Sequence, residues 1–176
     1  MIGPATDGVA GFAPSGPFET GPLRFLPQPI RETSSWWRSI LFGWAAAFFP
    51  SLLLSALTAA LLPNVARPSF NAGGPLLLFL LAVFSPLVET LIMAGILELL
   101  RRFLSPTAAV IVSAIGWAIA HSSAALAWGL VIWWPFLIFS TLYLAWRPCG
   151  KARAVGIVFA THACQNVPVA LALLQQ

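Results

Sequence analysis

The chain has 176 residues, of which 59% are hydrophobic and 8% are charged, and its formal net charge is +4. A soluble domain usually carries about 25% charged residues, so this composition excludes an ordinary water-soluble globule. The high hydrophobicity also excludes an intrinsically disordered chain. Nine basic residues spread through an apolar chain are typical of charges that flank membrane segments. We therefore expect the lipid bilayer, and no nucleic acid, as a partner.

Residues 1–35 differ from the rest of the chain in their density of glycine and proline. Helices and strands tolerate these residues poorly in their interiors, so the composition predicts a flexible, cytosolic N-terminal tail. From Trp36 onward the chain is a series of apolar stretches. We expect residues 36–176 to form a single membrane domain.

Five apolar stretches divide this domain. A helix needs about 20 apolar residues to cross a hydrocarbon core of about 30 Å. The stretches lie at residues 39–62, 75–100, 104–125, 126–146 and 154–174, with the third boundary placed at the polar residues from His121 to Ser123. The sequence therefore predicts an all-α, polytopic membrane protein with about five transmembrane helices.

The basic residues test this division. Five spans place eight of them on one side of the membrane: Arg24, Arg31, Arg38, Arg101, Arg102, Arg147, Lys151 and Arg153. The opposite side carries only Arg67. By the positive-inside rule the N-terminus is then cytoplasmic and the C-terminus lies on the other side. Merging the third and fourth stretches would remove this asymmetry.

Four polar side chains lie deep inside the predicted spans: Glu89, His121, His162 and Asn166. A charged group at a helix centre costs at least about 2.5 kcal/mol, so a functional role is the default interpretation. Counted along each helix from the basic side, all four lie roughly 14 to 25 Å into the membrane. Their similar depth predicts that they meet at one site. The structural alternative is that they hydrogen-bond the helices together.

Two other polar residues have simpler interpretations. Glu98 precedes Arg101 and Arg102 by three and four residues, which is the spacing of an ion pair on one helix, so we expect an interfacial ion pair. Cys164 lies about 200° around its helix from His162, which argues against a Cys–His nucleophilic pair.

Three motifs, each in a separate apolar stretch, resemble those of the CPBP family. They are the glutamate at Glu89, aromatic-x-x-x-His at Trp117 and His121, and His-x-x-x-Asn at His162 and Asn166. The family comprises intramembrane proteases that are similar to CAAX-prenyl proteases and to bacteriocin-processing (Abi) proteins. The resemblance covers about residues 85–168. It implies an intramembrane endopeptidase of a bacterial inner membrane, acting on a membrane-anchored, lipid-modified or sorting-signal peptide.

The first motif departs from the family pattern. In that pattern a second glutamate follows the first, and an arginine lies four residues after the second. Thr90 and Ala94 occupy those two positions here. Losing one partner of a buried ion pair would leave an unpaired charge, so the loss of both indicates that the pair is structural.

The resemblance assigns a role to each residue. Glu89 with His121 would hold and deprotonate the water that attacks the scissile amide. His162 and Asn166 would donate hydrogen bonds to the tetrahedral oxyanion. Glu89, His121 and His162 would alternatively form a His₂Glu zinc site. Zinc is disfavoured because no other intramembrane carboxylate would then remain as the base, and we expect no cofactor.

Other classes of membrane protein fit less well. The chain has no His-Glu-x-x-His motif, no Gly-x-Ser-Gly motif and no pair of aspartates, since its only aspartate is Asp7. A transporter or channel subunit is disfavoured because the sequence contains no internal repeat. The altered first motif favours one alternative, a non-catalytic scaffold such as a bacteriocin self-immunity or assembly partner.

Overall fold

The computed structural model describes residues 16–69 and 73–175. In these ranges the chain forms one short helix and five long ones: α1 (Gln28–Arg31), α2 (Trp36–Leu61), α3 (Gly74–Leu100), α4 (Pro106–Ser122), α5 (Leu126–Trp146) and α6 (Lys151–Leu173). The same ranges contain no strand. The prediction of an all-α fold is confirmed.

The long helices coincide with the five predicted apolar stretches. By length and composition, α2, α3, α5 and α6 can each cross a membrane. The third stretch forms α4, which has 17 residues and is therefore about 26 Å long. Large apolar side chains such as Leu53, Leu91 and Ile119 are exposed on the surface of the bundle, as expected of residues that face lipid. The chain is a multi-pass integral membrane protein.

Hydrogen bonds between helix ends show that consecutive long helices alternate in direction. At one end, Thr33 donates to the carbonyl of Ala145 (3.1 Å) and the Trp146 indole donates to Ser39 (3.1 Å). These bonds join the start of α2 to the end of α5. At the opposite end, the Ala127 amide at the start of α5 donates to the Ala66 carbonyl beyond α2 (3.2 Å). We call the first end the basic end, because the basic residues after α5 and at the start of α6 lie there.

α5 is the central helix of the bundle. Every residue from Pro135 to Trp146 is buried. α2 approaches α5 closely at Gly43, where an added Cβ would lie 2.6 Å from Cδ1 of Leu142. Small residues at such crossings let helix backbones pack tightly in a membrane.

Glu98 joins three helices at the basic end. Arg147 donates to both carboxylate oxygens of Glu98, and the bond from its Nη2 to Oε2 is 3.0 Å long. Nζ of Lys151 lies 2.9 Å from Oε2, and the hydroxyl of Tyr143 donates to Oε1 at 3.0 Å. The carboxylate therefore holds α3 against α5 and α6.

The expected ion pair of Glu98 with Arg101 and Arg102 is wrong. Arg101 donates instead to the carbonyl of Leu104, in the turn between α3 and α4. The spacing rule for ion pairs considers one helix alone, whereas Glu98 faces the connection between α5 and α6. Its partners lie about 50 residues away in sequence, because the alternating helix directions bring these ends together.

Replacing Glu98 with glutamine is expected to destabilise the fold by roughly 1–3 kcal/mol, because two cations lose the carboxylate that both contact. Thermal unfolding in detergent should show a lowered midpoint. The matched control is Glu19→Gln, at an exposed carboxylate that accepts from the nearby Gly16 amide. The control should leave the midpoint unchanged, and an unchanged midpoint for Glu98→Gln would contradict the bracing role.

Residues 16–35 pack against the bundle, which corrects the expectation of a flexible tail over this part of residues 1–35. A 3-10 turn at Pro22–Phe25 precedes α1. Four apolar side chains of the segment are buried in the core: Phe18, Leu23, Leu26 and Ile30. Proline and glycine prevent a long helix, but they allow a compact loop whose apolar side chains fill space between helices. Residues 1–15 lie outside the described residues.

Candidate active site

The four predicted site residues line one cavity of about 450 Å³. Glu89 lies on α3, His121 in the last turn of α4, and His162 and Asn166 on α6. Residues of α2 and α5 supply most of the remaining wall. Side chains that the sequence places at a similar membrane depth therefore face the same space, and three separate helices contribute them.

Glu89 is held by a neighbour on its own helix and contacts a histidine from another. Ser85, one turn earlier, donates from Oγ to Oε1 of Glu89 at 2.5 Å. Nε2 of His162 lies 3.6 Å from Oε2, which is a contact and is longer than a hydrogen bond. The Glu89 side chain is 20% exposed, so water can reach it from the cavity.

His121 is fixed by its own backbone and by aromatic rings. Nδ1 lies 2.9 Å from the carbonyl oxygen of Trp117, one turn earlier. Since a carbonyl only accepts, this contact assigns the proton to Nδ1 and leaves Nε2 as an acceptor. The imidazole packs edge-on against the ring of Trp128, with centroids 4.7 Å apart. The backbone carbonyl one turn earlier therefore sets the tautomer of His121, and the Trp128 ring helps to fix its orientation.

Phe136 of α5 contacts both histidines with its ring. Its ring centroid lies 5.7 Å from that of His121 and 5.6 Å from that of His162. Phe139 packs on the other side of the His162 ring at 4.5 Å. The His162 side chain is only 5% exposed, and its Nδ1 is buried without a partner among the described residues. Among these residues, Glu89 is in ion-pair range of His162 and not of His121, to which the resemblance couples it.

A π-helical turn in α3 shapes the wall that faces Asn166. The turn covers Leu80–Phe84. At its end the amide of Ser85 donates to the carbonyl of Leu80, five residues earlier, whereas an α-helix pairs residues four apart. The next residue is Pro86, which has no amide hydrogen to offer the carbonyl of Leu81. Nδ2 of Asn166 donates to that carbonyl at 3.0 Å. Asn166 therefore ties α6 to α3 where the backbone ladder of α3 is interrupted.

Six other side chains with a hydroxyl, amide or guanidinium group line the cavity and were not predicted as site residues from the sequence: Ser51, Ser55, Thr58, Arg67, Ser85 and Gln165. Gln165 is 7% exposed, and its Oε1 has no hydrogen-bond partner among the described residues. The available signals were spacings: Ser85 lies four residues before Glu89, and Gln165 lies three residues after His162. Arg67 comes from a loop, so no helical spacing relates it to the site.

The zinc alternative does not fit the geometry. Within residues 16–69 and 73–175, no three side chains of His, Cys, Asp or Glu come together as a possible metal site. Glu89, His121 and His162 line one cavity, and the ring of Phe136 contacts both imidazoles. Cys164 is exposed on the surface, away from this cavity, as its position on the helix predicts.

The two positions that depart from the CPBP pattern lie in the core and not in the cavity. Thr90 is 1% exposed and Ala94 is 7% exposed, and neither lines the cavity. A glutamate and an arginine here would be a buried pair that braces α3, which agrees with a structural interpretation of the missing pair. No family model, curated protein or solved structure matches the chain.

Proposed function

We propose that the chain is an intramembrane endopeptidase of the CPBP type that hydrolyses a peptide bond with a water activated by Glu89. The observation that supports this proposal is the shared cavity of Glu89, His121, His162 and Asn166 among helices of membrane-spanning length. Placing ionisable side chains inside a membrane protein costs free energy, so their presence favours a functional role, and hydrolysis would require these residue types.

The reaction needs only groups that line the cavity. Glu89 takes a proton from water, and the water oxygen forms a bond to the carbonyl carbon of the scissile amide. Nε2 of His121 accepts the second hydrogen of that water and orients it. The tetrahedral intermediate collapses as the C–N bond breaks and the Glu89 proton moves to the leaving amine. The products are a carboxylic acid and an amine.

Two donors on α6 stabilise the oxyanion. Nε2 of His162 carries a proton when Nδ1 does not, and this N–H points into the cavity near Glu89. The amide of Asn166 has two N–H groups, of which one is used on the Leu81 carbonyl and the other is left for the oxyanion. Donors fixed in this way act without reorganising during the reaction.

The substrate is a membrane-anchored, lipid-modified or sorting-signal peptide, and the location is the bacterial inner membrane. Both come from the resemblance of the three motifs. The cavity agrees with such a substrate because it lies among helices whose outer faces are apolar, so the cleaved bond has to enter the membrane region.

The bond from Asn166 to the Leu81 carbonyl favours a second candidate function. A residue that is used to repair an interrupted helix can be retained without catalysis. Together with Thr90 and Ala94, it supports a non-catalytic scaffold, such as a self-immunity or assembly partner. The two candidates differ in one respect, which is whether peptide bonds are cleaved.

The test compares peptide termini in membranes of cells that express the wild type or Glu89→Gln. New termini that occur only with the wild type are expected, and they would identify the substrate. Glu19→Gln, at an exposed carboxylate that does not line the cavity, should reproduce the wild-type termini. Identical termini for all three proteins, at equal abundance in the membrane, would refute the peptidase and leave the scaffold.

A further inference from the structure

The cavity lies in one half of the bundle. Its lining comes from residues 48–59 of α2, 81–89 of α3, 127–139 of α5 and 162–169 of α6, with His121 at the end of α4. Since the helices alternate in direction, each of these stretches lies toward the end where the amide of Ala127 meets the carbonyl of Ala66. The ion pairs of Glu98 mark the other end. The cavity is therefore displaced toward the membrane face opposite the basic loops.

A row of hydroxyl groups on α2 runs along this cavity. Ser51, Ser55 and Thr58 follow at intervals of four and three residues, so they share one face of the helix, and all three line the cavity. The row is about 10 Å long. Ser51 already donates to the carbonyl of Ala47, four residues earlier on α2 (2.7 Å), whereas the hydroxyls of Ser55 and Thr58 have no hydrogen-bond partner among the described residues. These two hydroxyls line a path for water or for polar groups of a ligand.

Arg67 stands at the outer end of this row. It belongs to the loop between α2 and α3, where the neighbouring Ala66 is hydrogen-bonded to the start of α5. The chain has five acidic residues, and Glu89 alone among the described ones lines the cavity. No ion pair in the described part of the chain involves Arg67. A cation at the mouth of a low-dielectric cleft attracts anions into it.

We propose that the cavity is entered from the membrane face opposite the basic loops, and that Arg67 selects molecules carrying a negative charge at that entrance. The positive-inside rule makes this the extracytoplasmic face. For the substrate, which rests on the proposed peptidase function, this means a polypeptide segment presented outside the cytoplasm with a carboxylate side chain next to the part that enters. The entrance itself is a property of the cavity and does not depend on catalysis.

The first experiment tests the side of entry with membrane-impermeant maleimide on single-cysteine variants. Thr58→Cys, combined with Cys149→Ala and Cys164→Ala, places one thiol in the outer part of the cavity. The native Cys149, kept in Cys164→Ala alone, is exposed at the basic end and serves as the matched control. Thr58→Cys should react in vesicles of one orientation and Cys149 in vesicles of the other.

Reaction of both thiols from the same side would overturn the proposal, and so would a Thr58→Cys thiol that reacts from neither side. Ser55→Cys, one turn deeper on the same face, provides a second variant if Thr58→Cys is not inserted in the membrane. It should react from the same side as Thr58→Cys, but more slowly, because the reagent has to travel further into the cavity.

The second experiment tests charge selection with two methanethiosulfonates, one bearing a sulfonate and one a trimethylammonium group. The ratio of their reaction rates at Thr58→Cys should favour the sulfonate. Arg67→Gln should lower this ratio by about fivefold, since a cation attracts one reagent and repels the other over a few ångströms. Arg67→Lys should preserve it, and Arg102→Gln, at the basic end, is the matched control.

An unchanged ratio in Arg67→Gln would overturn the role of Arg67. Neither experiment measures proteolysis. A failure of the proposed entrance can therefore be distinguished from a failure of the proposed peptidase function, which the comparison of peptide termini tests. If labelling occurs from one side and favours the anion, but no new peptide termini are found, the entrance is supported and the peptidase is refuted. New termini with labelling only from the basic side would support the peptidase and refute this entrance.

Discussion

Glu89→Gln is expected to lower the rate of peptide-bond cleavage by about 10²–10⁴-fold, which is the usual contribution of a general base. Glutamine has nearly the same shape as glutamate, and its amide oxygen still accepts a hydrogen bond from Ser85. The substitution therefore removes the base and keeps the local packing. The measurement is single-turnover cleavage by purified protein in lipid vesicles, with the substrate that the comparison of peptide termini identifies.

Two variants make this result specific to the carboxylate. Ser85→Ala removes the 2.5 Å hydrogen bond that holds Glu89 and should cause a smaller loss, because the base remains but its orientation is less restricted. Glu19→Gln should be indistinguishable from the wild type. Retained activity in a well-folded Glu89→Gln would show that another group activates the water, and the mechanism would then be wrong.

The depths of the site residues in the membrane can be predicted from their positions in the sequence. Helices crossing a bilayer have a fixed rise per residue, so the depths of Glu89, His121, His162 and Asn166 can be counted from the charged loops. Their common depth, together with the alternating helix directions, brought them to the same cavity. The functional roles remain predictions, because a shared cavity shows proximity and not a reaction.

Other features depend on contacts that no local pattern encodes. Phe18 and Ile30 are fully buried although glycine and proline surround them, since their burial is decided by the space that the long helices leave. Glu98 bonds to Arg147 and not to the arginines one turn away, because the ends of α3 and α5 meet. Phe136 packs against both histidines, yet in the sequence it is one apolar residue among many.

The sequence predicts only part of the contact between the π-helical turn and α6. Pro86 by itself predicts that one backbone carbonyl about a turn earlier lacks a donor. It does not predict which side chain supplies the missing hydrogen bond. That Asn166 does so, across 85 residues of sequence, makes this residue both a possible oxyanion donor and a structural tie.

Asn166→Ala is accordingly expected to have two effects that can be separated. It removes one oxyanion donor, which should lower turnover by about 10²–10³-fold. It also leaves the partly buried Leu81 carbonyl without its side-chain donor, which should lower the unfolding free energy by about 1 kcal/mol. Turnover per folded molecule and the thermal midpoint in detergent measure the two effects independently.

Pro86→Ala separates the two roles because it restores a backbone amide hydrogen within reach of the Leu81 carbonyl. In the double variant Asn166→Ala with Pro86→Ala, the thermal midpoint should recover toward that of Pro86→Ala alone, while turnover stays low. Pro86→Ala by itself is the matched control and should keep most of its activity, since Pro86 is buried and does not line the cavity. Recovery of both stability and turnover in the double variant would show that Asn166 acts only as a tie between α3 and α6. The oxyanion would then depend on His162, whose Nε2 is the other donor near Glu89.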